Sequence, residues 1–172
     1  MKKILKLFLS AAFIFSASAS TAFADNYVVV NKPAKVFDTP NAKGYVSLNS
    51  KNEEVTIAPG MVFKSLESNN GWHMIEYSPG LRGYLSELVI SSKTKLPKAG
   101  VYKIANFQSR QLNAICENDV WKASVDGKDF KGKAFGNAII FFSENGQPAY
   151  SLVDLGNGPV AHSYDNTVTK FF

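Results

Sequence analysis

From residue 26 onward the chain is broken every few residues by Gly, Pro, Asn or Asp, and the runs between these breaks are short and rich in β-branched and aromatic side chains. An amphipathic helix needs 11 or more residues of sustained 3.6-residue periodicity, and none is present. Short runs with such punctuation specify strands and tight turns, so the fold class read from the sequence is all-β. Aromatic residues make up 13% of the chain, which suits sheets, where large flat side chains stack across neighbouring strands.

The first 24 residues read differently. Met1-Lys2-Lys3-Ile4-Leu5-Lys6 is a cationic start, Leu7 to Ala19 is uncharged and apolar or small, and Ala22-Phe23-Ala24 has the small-x-small pattern of a cleavage site. This is the organisation of a secretory signal peptide, and mature protein beginning at Asp25 is expected. The apolar run is shorter than the roughly 20 residues a membrane-spanning helix needs, so no transmembrane segment is expected in the mature chain. No cysteine lies near the site to carry a lipid. The expected localisation is export, periplasmic or secreted.

Three of the 19 cationic residues, Lys2, Lys3 and Lys6, lie in that segment, so the formal net charge of +5 falls to +2 on cleavage. That balance is too small for a nucleic-acid footprint, and no nucleic-acid partner is expected. Removing 24 of 172 residues leaves 148, enough to bury a core without covalent staples. The single cysteine, Cys116, cannot form an internal disulfide.

The polar stretch Ser91 to Lys98 contains Pro97 and no apolar period, and it reads as a linker. It divides the chain into a signal peptide (1–24), a first domain (25–92) and a second domain (96–172). In the first, strands are expected at Tyr27 to Val30, Gly44 to Leu48, Glu54 to Ile57, Val62 to Glu67, Trp72 to Tyr77 and Gly83 to Leu85. Pro59-Gly60 and Pro79-Gly80 each suit a type II turn. In the second, strands are expected at Val101 to Ala105, Leu112 to Cys116, Val120 to Val125, Asp129 to Lys131, Ala138 to Phe142, Tyr150 to Leu155 and Val160 to Tyr164. The turn pairs Asp126-Gly127, Asn145-Gly146 and Asn157-Gly158 separate several of them. Such an antiparallel meander closes into a small barrel or folds over as a sandwich.

The stretch Gly71-Trp72-His73-Met74-Ile75-Glu76-Tyr77, then a turn and Gly83-Tyr84-Leu85, resembles the signature of bacterial SH3-like domains. That signature has a Gly-Trp strand with an aliphatic residue three places on, then Gly-aromatic-aliphatic. The resemblance covers residues 27 to 90 and implies an SH3-like small barrel that adheres to cell-envelope material. Val36-Phe37-Asp38-Thr39-Pro40 stands where the family usually has an Asn-x-Arg segment. Strand alternation adds a reading of its own: if Ile75 and Leu85 point into the core, Trp72 and Tyr84 point to the opposite face. Trp72, Tyr84 and Glu76 are the ligand-binding candidates, with Glu87 a second carboxylate beside them. The competing expectation is that the second domain docks on Trp72 and covers it.

No catalytic residues are assigned. SH3-like domains accompany cell-wall cysteine peptidases, whose nucleophile begins a helix in an Asp-Cys context. Cys116 instead sits in Ala114-Ile115-Cys116-Glu117, on an expected strand, and reads as a small core residue. His73 and His162 lack a ligand pattern around them, so no metal or other cofactor is expected. No phosphate loop or nucleophile elbow occurs. The function expected is a non-enzymatic binding protein of the bacterial cell envelope, recognising peptidoglycan peptides or a protein partner. Two alternatives stand beside it: a small apolar ligand held in the second domain's barrel with the SH3-like domain as a spacer, or an unrecognised cell-wall hydrolase.

Overall fold

The computed structural model describes residues 26–48, 52–91 and 93–164. The signal-peptide reading and the Asp25 cleavage point fall outside them. The protein is all-β, in two units with separate cores and a third apolar cluster between them.

The first unit has a four-stranded antiparallel sheet in the order β1 (Tyr27–Val29), β4 (Val62–Asn69), β5 (Trp72–Ser78), β6 (Leu81–Ser86). A two-stranded ribbon, β2 (Ala34–Lys35) with β3 (Thr56–Ile57), lies beside it. Ala34, Val36, Val55 and Ile57 from the ribbon side are buried with Val28, Phe63, Ile75 and Leu85 from the sheet. Phe37 joins the two layers, its N–H bonded to Tyr84 O at 3.0 Å and its carbonyl accepting from Tyr84 N–H at 2.8 Å. Gly83 makes this crossing possible: a Cβ there would stand 2.4 Å from Val36 Cγ1 and 2.9 Å from Phe37 O. The expected strand over Gly44 to Leu48 is reduced to isolated bridges at Val46 and Leu48. Tyr45, just before them, is 85% exposed, so this segment has little burial to hold a longer ladder.

The second unit is a closed barrel rather than a sandwich. Its seven strands are β7 (Gly100–Ile104), β8 (Phe107–Glu117), β9 (Val120–Val125), β10 (Lys128–Phe135), β11 (Ala138–Phe142), β12 (Pro148–Asp154) and β13 (Pro159–Ser163). Turn chemistry sets the register. Asn118 and Asp119 both have positive φ, as do Asp126 and Gly127, the backbone that two-residue type I′ hairpins require. Inward residues alternate along each strand, and Leu112, Trp121, Ile139, Phe141 and Leu152 fill the interior. Gly132 lies opposite both Trp121 and Phe141, and the space a side chain would need there is taken by those two.

An up-and-down barrel with an odd number of strands must close with one parallel pair, because its first and last strands run the same way. Here that seam joins β13 to β7 through the single pairing Ala161↔Ile104. Asn106 reinforces it by acting as a surrogate peptide group: its Nδ2 donates to Ser163 O at 2.7 Å and its Oδ1 accepts from Ser163 N–H at 2.8 Å. Asn106→Ala is expected to lower stability by about 1–3 kcal/mol, since both Ser163 backbone groups lose a bond in a buried position. Equilibrium urea unfolding measures this, and Asn106→Asp, which sets an acceptor-only carboxylate against the Ser163 carbonyl oxygen, should cost at least as much.

The units meet along the outer face of β11 to β13. Val29 and Val62 of the first unit cluster with Ala138, Ile140 and Val153 of the second. β11 is thus buried on both faces, Ile139 and Phe141 inward and Ala138 and Ile140 toward the first unit, which explains why its sequence is an unbroken apolar run. The connecting stretch is stitched to both units. Ser91 N–H donates to Val29 O, Asn137 Nδ2 donates to Thr94 O, Lys95 N–H donates to Asp154 O, and Pro97 is buried.

Cys116 corrects an expectation. Alternation puts it on the inward side of β8 with Leu112 and Ala114, yet it is exposed. It is the last inward position of β8, just before the Asn118-Asp119 turn, and its cross-strand partner is Trp121; the large indole is buried in the barrel core while the short thiol stays at the rim.

Candidate functional site

The β5–β6 register pairs Met74 with Tyr84, Trp72 with Ser86 and Glu76 with Arg82. Directly paired residues share a face, so Trp72, Met74, Tyr84 and Glu76 all lie opposite the core-facing Ile75 and Leu85, which are fully buried. Trp72, Met74 and Tyr84 are half-buried. The Trp72 ring meets the Phe37 ring edge-on, with centroids 5.5 Å apart and planes at 85°, an arrangement aromatic quadrupoles favour. Phe37, Trp72 and Tyr84 therefore form one aromatic cluster, with Met74 beside Tyr84. Phe37 was missed in the sequence because it belongs to no regular strand; its two backbone bonds to Tyr84 bring it there.

The second unit does not cover this cluster. The joint is built from Val29, Val62, Ala138, Ile140 and Val153, with Tyr27, Phe135, Phe142, Leu155 and Tyr164 around them. Neither Trp72 nor Tyr84 takes part.

Glu76 stands apart from the two aromatics. It is four residues along β5 from Trp72, about 13 Å at strand rise. One of its carboxylate oxygens accepts from Gly80 N–H at 3.0 Å, and the other lies 3.8 Å from Arg82 Nε. It holds the Pro79-Gly80 turn and borders a different feature, the groove between the units. Glu87 is the carboxylate at the Trp72 end, next to Gly71, whose carbonyl accepts from Glu87 N–H at 2.7 Å.

That groove has a volume of about 440 Å³. Its walls carry Tyr27, Phe63, Tyr77, Phe142 and Tyr164, with Lys64, Glu76 and Gln147 as polar members. Burial pushes the Tyr164 phenol well above the usual tyrosine range, and its hydroxyl donates to Val62 O. Sequence reasoning missed the groove because its walls come from segments far apart in the chain. A second, more polar depression of about 950 Å³ lies at one barrel mouth, where Arg110 pairs with Asp126 at 3.0 Å and sits over the Phe107 ring.

His162 lies in the joint, 4% exposed, against the Pro59-Gly60 turn. Its Nδ1 has no hydrogen-bond partner, and burial lowers its pKa from 6.5 to about 4. Cys116 is at the far end of the barrel strands from it, so the two do not form a nucleophile–base pair. Among the described residues no group of three or more His, Cys, Asp or Glu side chains is placed to hold a metal ion, and no helix is long and apolar enough to cross a membrane. No protein-family model, curated protein or solved structure matches the chain.

Proposed function

We propose that this chain is an exported, non-enzymatic binding protein of the bacterial cell envelope, whose SH3-like first unit recognises peptidoglycan peptides or a protein partner. The observation that carries the reading is the half-exposed Phe37–Trp72–Tyr84 cluster, which lies on the face opposite the core and outside the joint between the units. Trp and Tyr bury large areas at low entropic cost, and they dominate binding hot spots. Glu87, exposed beside Trp72, adds a carboxylate suited to an amine-bearing partner such as a wall peptide. Export is read from the N-terminal sequence.

The second reading, a small apolar ligand, is favoured by a specific observation only at the groove, since the barrel's interior is occupied by its own side chains.

The test is Trp72→Ala in the mature chain, measured as binding to purified envelope fractions. Affinity should fall by about 2 kcal/mol, near thirtyfold. Stability should fall by less than the roughly 3–5 kcal/mol that truncating a fully buried Trp costs, since Trp72 is only half-buried. Unchanged envelope binding would sink the proposal.

A further inference from the structure

The groove between the units keeps part of its apolar wall uncovered. Tyr27, Phe142 and Tyr164 are only half-buried, and Leu66 beside them is 39% exposed. Its volume of about 440 Å³ falls in the range of sites that enclose a small apolar group. Apolar surface gathered at one place marks an interaction site.

One wall residue fixes where the chain goes next. Tyr164 follows β13, and the ladder with β12 continues through it. Ser163 pairs with Tyr150, and Tyr164 N–H donates to Ala149 O at 2.9 Å. At Tyr164 the chain therefore runs antiparallel to β12 and toward Pro148 and Gln147, both of which line the groove. The Tyr164 side chain is anchored there. Its hydroxyl donates to Val62 O, and its ring meets the Phe63 ring edge-on, with centroids 6.1 Å apart. Past it the sequence reads Asp165-Asn166-Thr167-Val168-Thr169-Lys170-Phe171-Phe172. Extended, this stretch reaches up to about 26 Å, several times the width of a groove of this volume.

We infer that the groove is the seat of this chain's own tail, residues 165–172, with the rings of Phe171 and Phe172 against Phe63, Tyr77 and Phe142. Direction, reach and chemistry select this occupant. A segment tethered at the groove wall is held there at an effective concentration in the millimolar range, which an unattached ligand or a second copy has to match. The two phenylalanines bring the rings that aromatic walls accept in edge-on or offset contact. Thr167-Val168-Thr169 is β-branched throughout, which suits an extended path beside Pro148. Phe63 and Tyr77 belong to the first unit and Phe142 to the second, so the seated tail is a strap across the joint. The inference is independent of the Trp72 cluster, which lies outside the groove.

The experiment compares the mature chain with its Phe171→Ser/Phe172→Ser double variant by NMR, with phenylalanine and tyrosine rings isotope-labelled. In the wild type, Overhauser contacts are expected from the Phe171 or Phe172 ring to the Phe142 or Tyr77 ring. In the double variant the Phe142 and Tyr77 ring signals should shift while that of Tyr84 stays in place. A free peptide spanning residues 167–172, titrated calorimetrically, should bind the double variant at least tenfold more tightly than the wild type, whose groove is filled. Absence of ring contacts between tail and groove in the wild type overturns the inference, as does a double variant that binds the peptide no better than the wild type does. Contacts seen only between labelled and unlabelled copies in a mixed sample also overturn it, in favour of tails exchanged between molecules. Decanol binding to the wild type as tightly as to the double variant overturns it in favour of an unattached apolar ligand.

Discussion

As pH falls from 6.5 to 4 the protein is expected to lose about 3 kcal/mol of stability through one side chain, His162. In the folded state this imidazole is buried in the joint between the units and titrates near 4, whereas unfolded it titrates near 6.5. Between those values the unfolded chain binds the proton and the folded one does not, so stability drops as pH falls through the window. A difference of about 2.5 pH units corresponds to roughly 3 kcal/mol at 1.36 kcal/mol per unit. Burial alone causes the shift. The groups around the ring are uncharged: Ser151, opposite it in the β12–β13 register and bonded through Oγ to Gly60 O, and the Gly60 turn itself. The measurement is urea unfolding of the wild type and His162→Gln at half-unit steps from pH 7 to pH 4. Carboxylates contribute the same slope to both, so the difference between the curves isolates the histidine. Parallel curves would show that the imidazole charges without cost. Because the ring lies where the units touch, the loss should appear first as separation of the units, visible as faster amide exchange at Val29 and Ile140 than at Leu112.

The second large effect is expected at Gly132. A Cβ built there would stand 2.6 Å from Trp121 Cβ and 2.8 Å and 2.9 Å from two Phe141 ring carbons. All three atoms sit in the filled barrel interior, and the nearest is close to a backbone that cannot swing aside. Overpacking of this kind costs about 1–3 kcal/mol. Gly132→Ala should fall at the upper end of that range and Gly132→Val beyond it. Thermal unfolding followed by near-UV circular dichroism, which reports Trp121, measures both. Gly132→Ala with a native melting temperature would mean that Phe141 can turn away, and that the interior has slack.

Much of this architecture is legible in the sequence because it is local. Val120 to Val125 and Ala138 to Phe142 emerge with the same ends in the structure, since hairpin turns and apolar runs bound them. The alternation that buries Ile75 and Leu85 and turns Trp72 and Tyr84 to the other face is likewise a property of single strands. What escapes is what depends on distant partners. The first half of β8, Phe107-Gln108-Ser109-Arg110-Gln111, is mostly polar and gives no strand signal; it is extended because β7 pairs with it. Phe37 enters the aromatic cluster through a bridge from outside any regular strand. The inward parity of Cys116 could be read, but not that its thiol stays exposed at the barrel rim beside the buried Trp121. The groove requires Lys64 and Phe142 to meet across two units, and no spacing rule speaks to that.

The odd strand count carries a consequence for the order of folding. Six of the seven barrel pairings join strands adjacent in the chain, and these can zip as each hairpin becomes available. The seventh joins strands whose Asn106 and Ser163 are separated by 57 positions, and loop-closure entropy makes it the slowest contact to form. Until β13 arrives, the barrel is an open sheet with two bare edges, β7 at one side and β12 at the other. Bare edges invite pairing with other chains. Because a chain is synthesised N-terminus first, this interval of risk ends only when Ala161 and Ser163 have emerged and Asn106 can clip the seam.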